Sequence, residues 1–247
     1  MSWSLIISDM PLAQCDGRCG KIERIDIVCL WIAELIPLAA TLFSLIYGLR
    51  HFFKKGKPLC LQSITMAMGS HALGSIYHLC QTLTSDTIVE GFTPAYLGRI
   101  GFFLFILTSS YGQLDRIVDD GSSKMRRARV IALIAPLLAV LLYLPNAMME
   151  DVTTATKVVY ALVWIPAILS VYFNLKHAII PDFDFGFIKA IKPYNIFVLL
   201  LSFSELLCLT AWDYYEPVWL VVTAIVFGAL CIGTMVSARK GVKKWTI

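Results

Sequence analysis

The chain has 247 residues, of which 58% are hydrophobic and 15% charged, with a formal net charge of +4. A soluble domain carries about a quarter charged residues, so this composition, with a mean hydropathy of +0.73, excludes an ordinary water-soluble fold. The positive charge is not a nucleic-acid signature either, because the basic residues cluster in the short connections between apolar runs.

Seven runs are long and apolar enough to be read as membrane spans: 26–49, 60–82, 97–114, 130–146, 157–175, 194–213 and 217–237. The expected fold is an all-α membrane protein, a bundle of seven transmembrane helices. Residues 1–25 form an extracytoplasmic N-terminal segment, 26–237 the transmembrane domain and 238–247 a basic cytosolic tail. No connection is long enough to hold a soluble domain, so any site must be built from the helices themselves. Sixteen Lys and Arg residues fall on one side of the seven runs and five on the other. The positive-inside rule then places the N-terminus outside and the C-terminus in the cytosol, in a plasma or inner membrane. The N-terminus lacks the basic start and long apolar stretch of a signal peptide. Cys15 and Cys19 share the outer segment, where oxidation is possible.

The first run contains Glu34, with Pro37 three residues later to kink the helix and free a backbone carbonyl nearby. In the second, His71, Gly74, Ser75, His78 and Gln81 recur at helical spacing on one face, and the small residues among them suit close packing on a partner helix. The third begins near Gly98-Arg99, with Gly98 and Gly101 permitting close approach, and ends at Asp115-Arg116. The fourth carries Pro136 and the fifth Pro166. The segment Pro181–Lys189 alternates aromatic and polar groups and reads as an interfacial anchor. The sixth run contains Ser202 and Glu205 one turn apart; the seventh has no ionisable residue. Arg99 and Asp213 fall at the outer rim, as a pair or as ordinary interface charges.

A charged side chain at bilayer depth costs about 2.5–3.5 kcal/mol on insertion scales, so Glu34 and Glu205 mark a candidate site. At a rise of about 1.5 Å per residue, Glu34, His71, His78 and Glu205 all fall between the midplane and the outer surface. That common depth predicts one polar cavity opening outward. The ligand-binding candidates are Glu34, His71, Ser75, His78, Ser202 and Glu205; no catalytic residue is singled out.

The seventh run lacks the lysine of a microbial rhodopsin. Asp115-Arg116 is similar to the acidic–arginine pair of G-protein-coupled receptors, without their NPxxY pattern. Ser75-Ile76-Tyr77-His78 loosely resembles the second-span serine–histidine motif of the zinc hydrolases that include hemolysin III and alkaline ceramidases, but the final run has no histidine pair, and no family is assigned. The expected function is binding of a small molecule or ion, as a sensor or transporter, with proton coupling through histidine and a buried carboxylate. No cofactor is expected. The alternatives are an intramembrane, metal-assisted lipid hydrolase, with His71, His78, Glu34 and Glu205 as candidate zinc ligands, and a subunit or scaffold held by another membrane protein. An enzyme is the less favoured reading. The expected partners are the lipid bilayer and a small molecule or ion, with no nucleic acid.

Overall fold

A computed structural model describes residues 24–52, 59–84, 93–115, 121, 123–148, 154–180, 187–214 and 217–245. Among them every regular element is helical: α1 Arg24–Phe52, α2 Leu59–Thr84, α3 Pro94–Leu107, α4 Ser123–Ala132, α5 Ile134–Met148, α6 Thr154–Ile179, α7 Phe187–Tyr214 and α8 Pro217–Trp245. A π-helical segment, Thr108–Asp115, continues α3 without a gap. Residues 1–23, with Cys15 and Cys19, and residues 181–186 of the aromatic stretch fall outside the described residues, while Phe187–Lys189 open α7.

All seven apolar runs lie on helices. Among the described residues, five stretches are long and apolar enough to cross a membrane: Trp31–Arg50, Met125–Pro145, Lys157–Ile179, Ile191–Thr210 and Val218–Gly241. This is a helical membrane protein. The two remaining runs differ for physical reasons. α2 is diluted by Gln62, Ser63, Ser70, His71, Ser75, His78 and Gln81, and α3 keeps α-helical geometry for only 14 residues before widening into the π segment.

Helices α1, α2, α3, α6, α7 and α8 pack in that order into a closed ring, since α8 returns to α1. α4 and α5 stand outside it against α6, and α5 also touches α7. The fourth run is broken at Leu133 because Pro136 has no N–H to give to Ala132 and its ring displaces that turn. Leu133 N bonds instead to Val130 O at 3.2 Å. α8 runs on to Trp245, so the basic residues Arg239 and Lys240 stand on a helix. One of them, Arg239, donates from Nη1 to Tyr47 Oη at 2.6 Å.

Large apolar side chains fill much of the centre of the ring. Phe102, Phe103, Ile64, Met68, Trp164, Leu201, Leu206 and Phe227 are almost fully enclosed. The outer faces are apolar too: Phe43, Ile46, Leu137, Leu141, Val222 and Ile225 are exposed, as suits hydrocarbon. α2 and α3 cross at two glycines. A Cβ added to Gly98 would lie 2.5 Å from Gly74 Cα and 2.7 Å from Ser70 O, so only hydrogen fits between the backbones. Ser70 Oγ donates to Gly98 O at 3.0 Å across the same crossing. This crossing sets the register that brings Arg99 beside the polar face of α2.

Candidate functional site

Glu205 sits on α7, and only 2% of it is exposed. Its two carboxylate oxygens face different partners. Oε2 lies 3.3 Å from His71 Nε2 on α2, and Oε1 lies 3.2 Å from Arg99 Nε on α3. Three helices of the ring therefore meet at one carboxylate. A buried carboxylate without partners pays a desolvation penalty of several kcal/mol, which good geometry to a cation offsets. On its other ring nitrogen, Nδ1, His71 meets Ser75 Oγ at 3.3 Å. The imidazole rests on Phe227, centroids 4.8 Å apart, and edge-on to Phe102 at 5.3 Å. These rings floor the site and separate it from the rest of the core.

A second pair joins α2 to α1. His78 Nδ1 on α2 is 2.9 Å from Glu34 Oε1 on α1. The side chains of His78 and Glu34 are 37% and 16% exposed, against 4% and 3% for His71 and Glu205. Accessibility thus rises from the inner pair to the outer one. Arg99, 23% exposed at its side chain, pairs with Glu205 and also feels the more distant charge of Glu34. Its guanidinium also stands 5.9 Å from the centroid of the Tyr96 ring.

The four ionisable candidates fall into two His–Glu pairs, His71 with Glu205 and His78 with Glu34. Ser75 belongs with them. Ser202 does not: its hydroxyl donates to Val198 O, one turn back on its own helix, at 2.9 Å, so its single proton is not available to Glu205. Arg99 reads from sequence as a rim charge and instead reaches inward to Glu205. The side chain of Asp213, its suggested partner, lies outside the described residues. As for metal, among the described residues no three His, Cys, Asp or Glu side chains come together as a ligand set. Each His–Glu pair is engaged with itself, and the Arg99 cation beside Glu205 opposes a second cation at that carboxylate.

Sequence reasoning missed a second polar cluster, at the opposite end of α3. Asp115 ends the π segment and is bridged by Lys176 Nζ and, at 3.0 Å, by His177 Nε2, both on α6. Lys176 is 3% exposed, although by position it reads as an ordinary cytosolic charge. Burial pushes the Asp115 carboxyl up, but hydrogen bonds from His177 and Lys176 and their charges outweigh it, and its pKa settles below the ordinary carboxylate value. One turn away, Ser109 Oγ links Cys60 Sγ at 3.0 Å to Tyr194 Oη at 2.9 Å, and Ser110 Oγ donates to Asn174 Oδ1 at 3.1 Å. The widened π turn directs these hydroxyls at α2, α6 and α7; such bulges recur where a helix must turn functional groups inward.

Compared with protein families, curated proteins and solved structures, the chain matches none. Its function has to be read from the geometry alone.

Proposed function

We propose that this protein crosses the membrane seven times, N-terminus outside, and binds a small molecule or ion in a proton-dependent manner at the Glu34–His78–Arg99–His71–Glu205 network, as a transporter or sensor. The observation that carries the reading is Glu205, enclosed in the membrane part of the fold yet held by both a permanent cation and a titratable one. Arg99 balances Glu205 while His71 is neutral. A proton on His71 adds a charge that nothing else at the inner pair balances, so the energy of the site depends on pH. Ionisable groups kept at this depth against their insertion cost mark ligand or proton pathways in membrane proteins, and histidine is the group that titrates in the physiological range. The rise in side-chain exposure from Glu205 to His78 supports access to the buried pair from that end.

Proton counting tests this. Purified protein in weakly buffered detergent solution is stepped from about pH 7.5 to about 5.5, across the histidine range, and the protons taken up are measured with an indicator dye. The wild type is expected to take up more protons than Glu205→Gln at equal protein concentration. Identical uptake by the two proteins would remove the proton-coupled reading.

A further inference from the structure

The outer surface of α4 and α5 changes character along a single face. On the inward face, Met125, Ala128, Ala132, Ala135 and Ala139 are buried, and Met125 and Ala128 pack on Ile179 and Ile180 at the end of α6. The outward face starts with Arg126 and Arg127, both exposed. One turn further it becomes aliphatic. Val130 stands over Arg126 and Ile131 over Arg127 on the same side of the helix, and Ile134, Leu137, Leu138 and Leu141 continue the exposed apolar face. Cation therefore gives way to hydrocarbon between Arg127 and Val130. Pairing within the chain cannot neutralise this end. The side that holds the start of α4 carries sixteen Lys and Arg against five carboxylates, Asp115, Asp119, Asp120, Asp182 and Asp184, which leaves eleven positive charges however they pair.

We infer that Arg126 and Arg127, with the aliphatic face beside them, bind a phospholipid of net negative charge, its phosphate on the guanidiniums and an acyl chain along Val130 to Leu141. The inference stands apart from the proton-coupled site and uses only the membrane setting of the fold. Guanidinium is the side chain whose planar fork of donors matches phosphate oxygens. The length also fits. At about 1.5 Å per residue, Val130 to Leu141 covers about 16 Å, close to one leaflet of a hydrocarbon core about 30 Å thick. Met125–Pro145 is also the least covered of the five long apolar stretches among the described residues, so the protein leaves this face to lipid. With the N-terminus outside, the lipid belongs to the cytosolic leaflet, whose anionic headgroups attract basic segments. A zwitterionic headgroup suits the site less, because it brings its own cation towards the two guanidiniums. A second copy of the chain, related by a two-fold axis along the membrane normal, would set the same arginines against each other, and like charges so placed oppose association.

Native mass spectrometry of the intact protein in detergent tests this, with dioleoylphosphatidylglycerol and dioleoylphosphatidylcholine titrated separately. The wild type is expected to bind phosphatidylglycerol at least ~10-fold more tightly than phosphatidylcholine, and Arg126→Gln/Arg127→Gln is expected to lose most of that preference. Raising ammonium acetate from about 0.1 M to about 1 M should weaken the preference in the wild type, because the contact is screened. Lys240→Gln removes an exposed cation from α8 on the same side and is expected to keep the wild-type preference. Arg127→Gln alone, expected to lose part of it, serves as the second variant should the double variant fail to give a monodisperse protein. Equal binding of the two lipids by the wild type, or an equal loss in Lys240→Gln, would overturn the inference. Displacement of the bound lipid by an equal concentration of inorganic phosphate would overturn it in favour of a free anion. A wild-type dimer that Arg126→Gln/Arg127→Gln alters, with lipid binding unchanged, would overturn it in favour of a face between copies.

Discussion

Arg99 Nε lies 3.2 Å from Glu205 Oε1, and the pair ties α3 to α7 across the ring. Removing either member leaves the other charge buried without it. Arg99→Gln and Glu205→Gln are each expected to destabilise the protein by about 3–5 kcal/mol. The double variant should lose clearly less than the two single losses together, because it leaves no orphaned charge. Denaturant unfolding of the four proteins in detergent checks this. Strict additivity would mean that the two residues do not interact.

The α2–α3 crossing tolerates no side chain at Gly98. A Cβ there meets the Gly74 backbone and Ser70 O, and backbone cannot rotate away as a side chain does. Gly98→Ala is therefore expected to force the helices apart and cost about 1–3 kcal/mol, the usual range for overpacking. Gly69 provides the contrast. Its added Cβ would approach Leu45 Cδ1 at 3.2 Å, the end of a flexible side chain that can shift. Gly69→Ala, on a helix, should be neutral or slightly stabilising through propensity. Thermal unfolding distinguishes the two, and equal loss at both positions would argue against the crossing.

The far cluster carries its own pH dependence. The folded-state pKa of Asp115 is lowered by its hydrogen bonds to His177 and Lys176. A depressed carboxyl adds stability above its unfolded pKa, about 3.9, and that stability is lost as pH falls through the folded value. Wild-type stability should therefore decline in acid, below about pH 4, and Asp115→Asn should flatten this part of the profile while lowering stability at neutral pH. An acid limb of unchanged slope in Asp115→Asn would contradict the assignment.

The two serine candidates are expected to behave differently. Ser202 spends its proton on Val198 O within its own helix, a bond that adds little to stability, so Ser202→Ala should leave proton uptake unchanged. Ser75 touches His71 Nδ1, where a hydroxyl helps to set which imidazole nitrogen carries the proton. Ser75→Ala should alter the proton-uptake curve measured with the indicator dye. The opposite ranking would place Ser202, not Ser75, in the site.

Much of this arrangement was legible in the sequence. Each apolar run lies on helix, although the polar helix α4 left no apolar signal; rise per residue puts Glu34, His71, His78 and Glu205 in one slab, and the structure pairs His71 with Glu205 and His78 with Glu34. Spacing alone did not separate Ser75 from Ser202, because a serine hydroxyl can turn to its own backbone without changing its place on the helix face. Arg99 was read at the rim because it follows the start of α3 by one turn. Its side chain is long enough to carry the charge away from its Cα, and only the α2–α3 crossing shows in which direction. Lys176 follows a long apolar run and so reads as an end charge. Its partner Asp115 is sixty residues away on the widened turn of another helix, and nothing in the local pattern of either residue encodes that meeting. The break at Leu133 was implicit in Pro136, although the whole run reads as a single span.

The most direct test of the shared Glu205 site is difference infrared spectroscopy of the protein in lipid across a pH step through the histidine range. With His71 3.3 Å from Oε2 and Arg99 3.2 Å from Oε1, protonation of His71 must perturb that carboxylate. The wild type is expected to show a shift of carboxylate stretching bands that disappears in both Glu205→Gln and His71→Gln. A wild-type difference spectrum that persists unchanged in these two variants would contradict it.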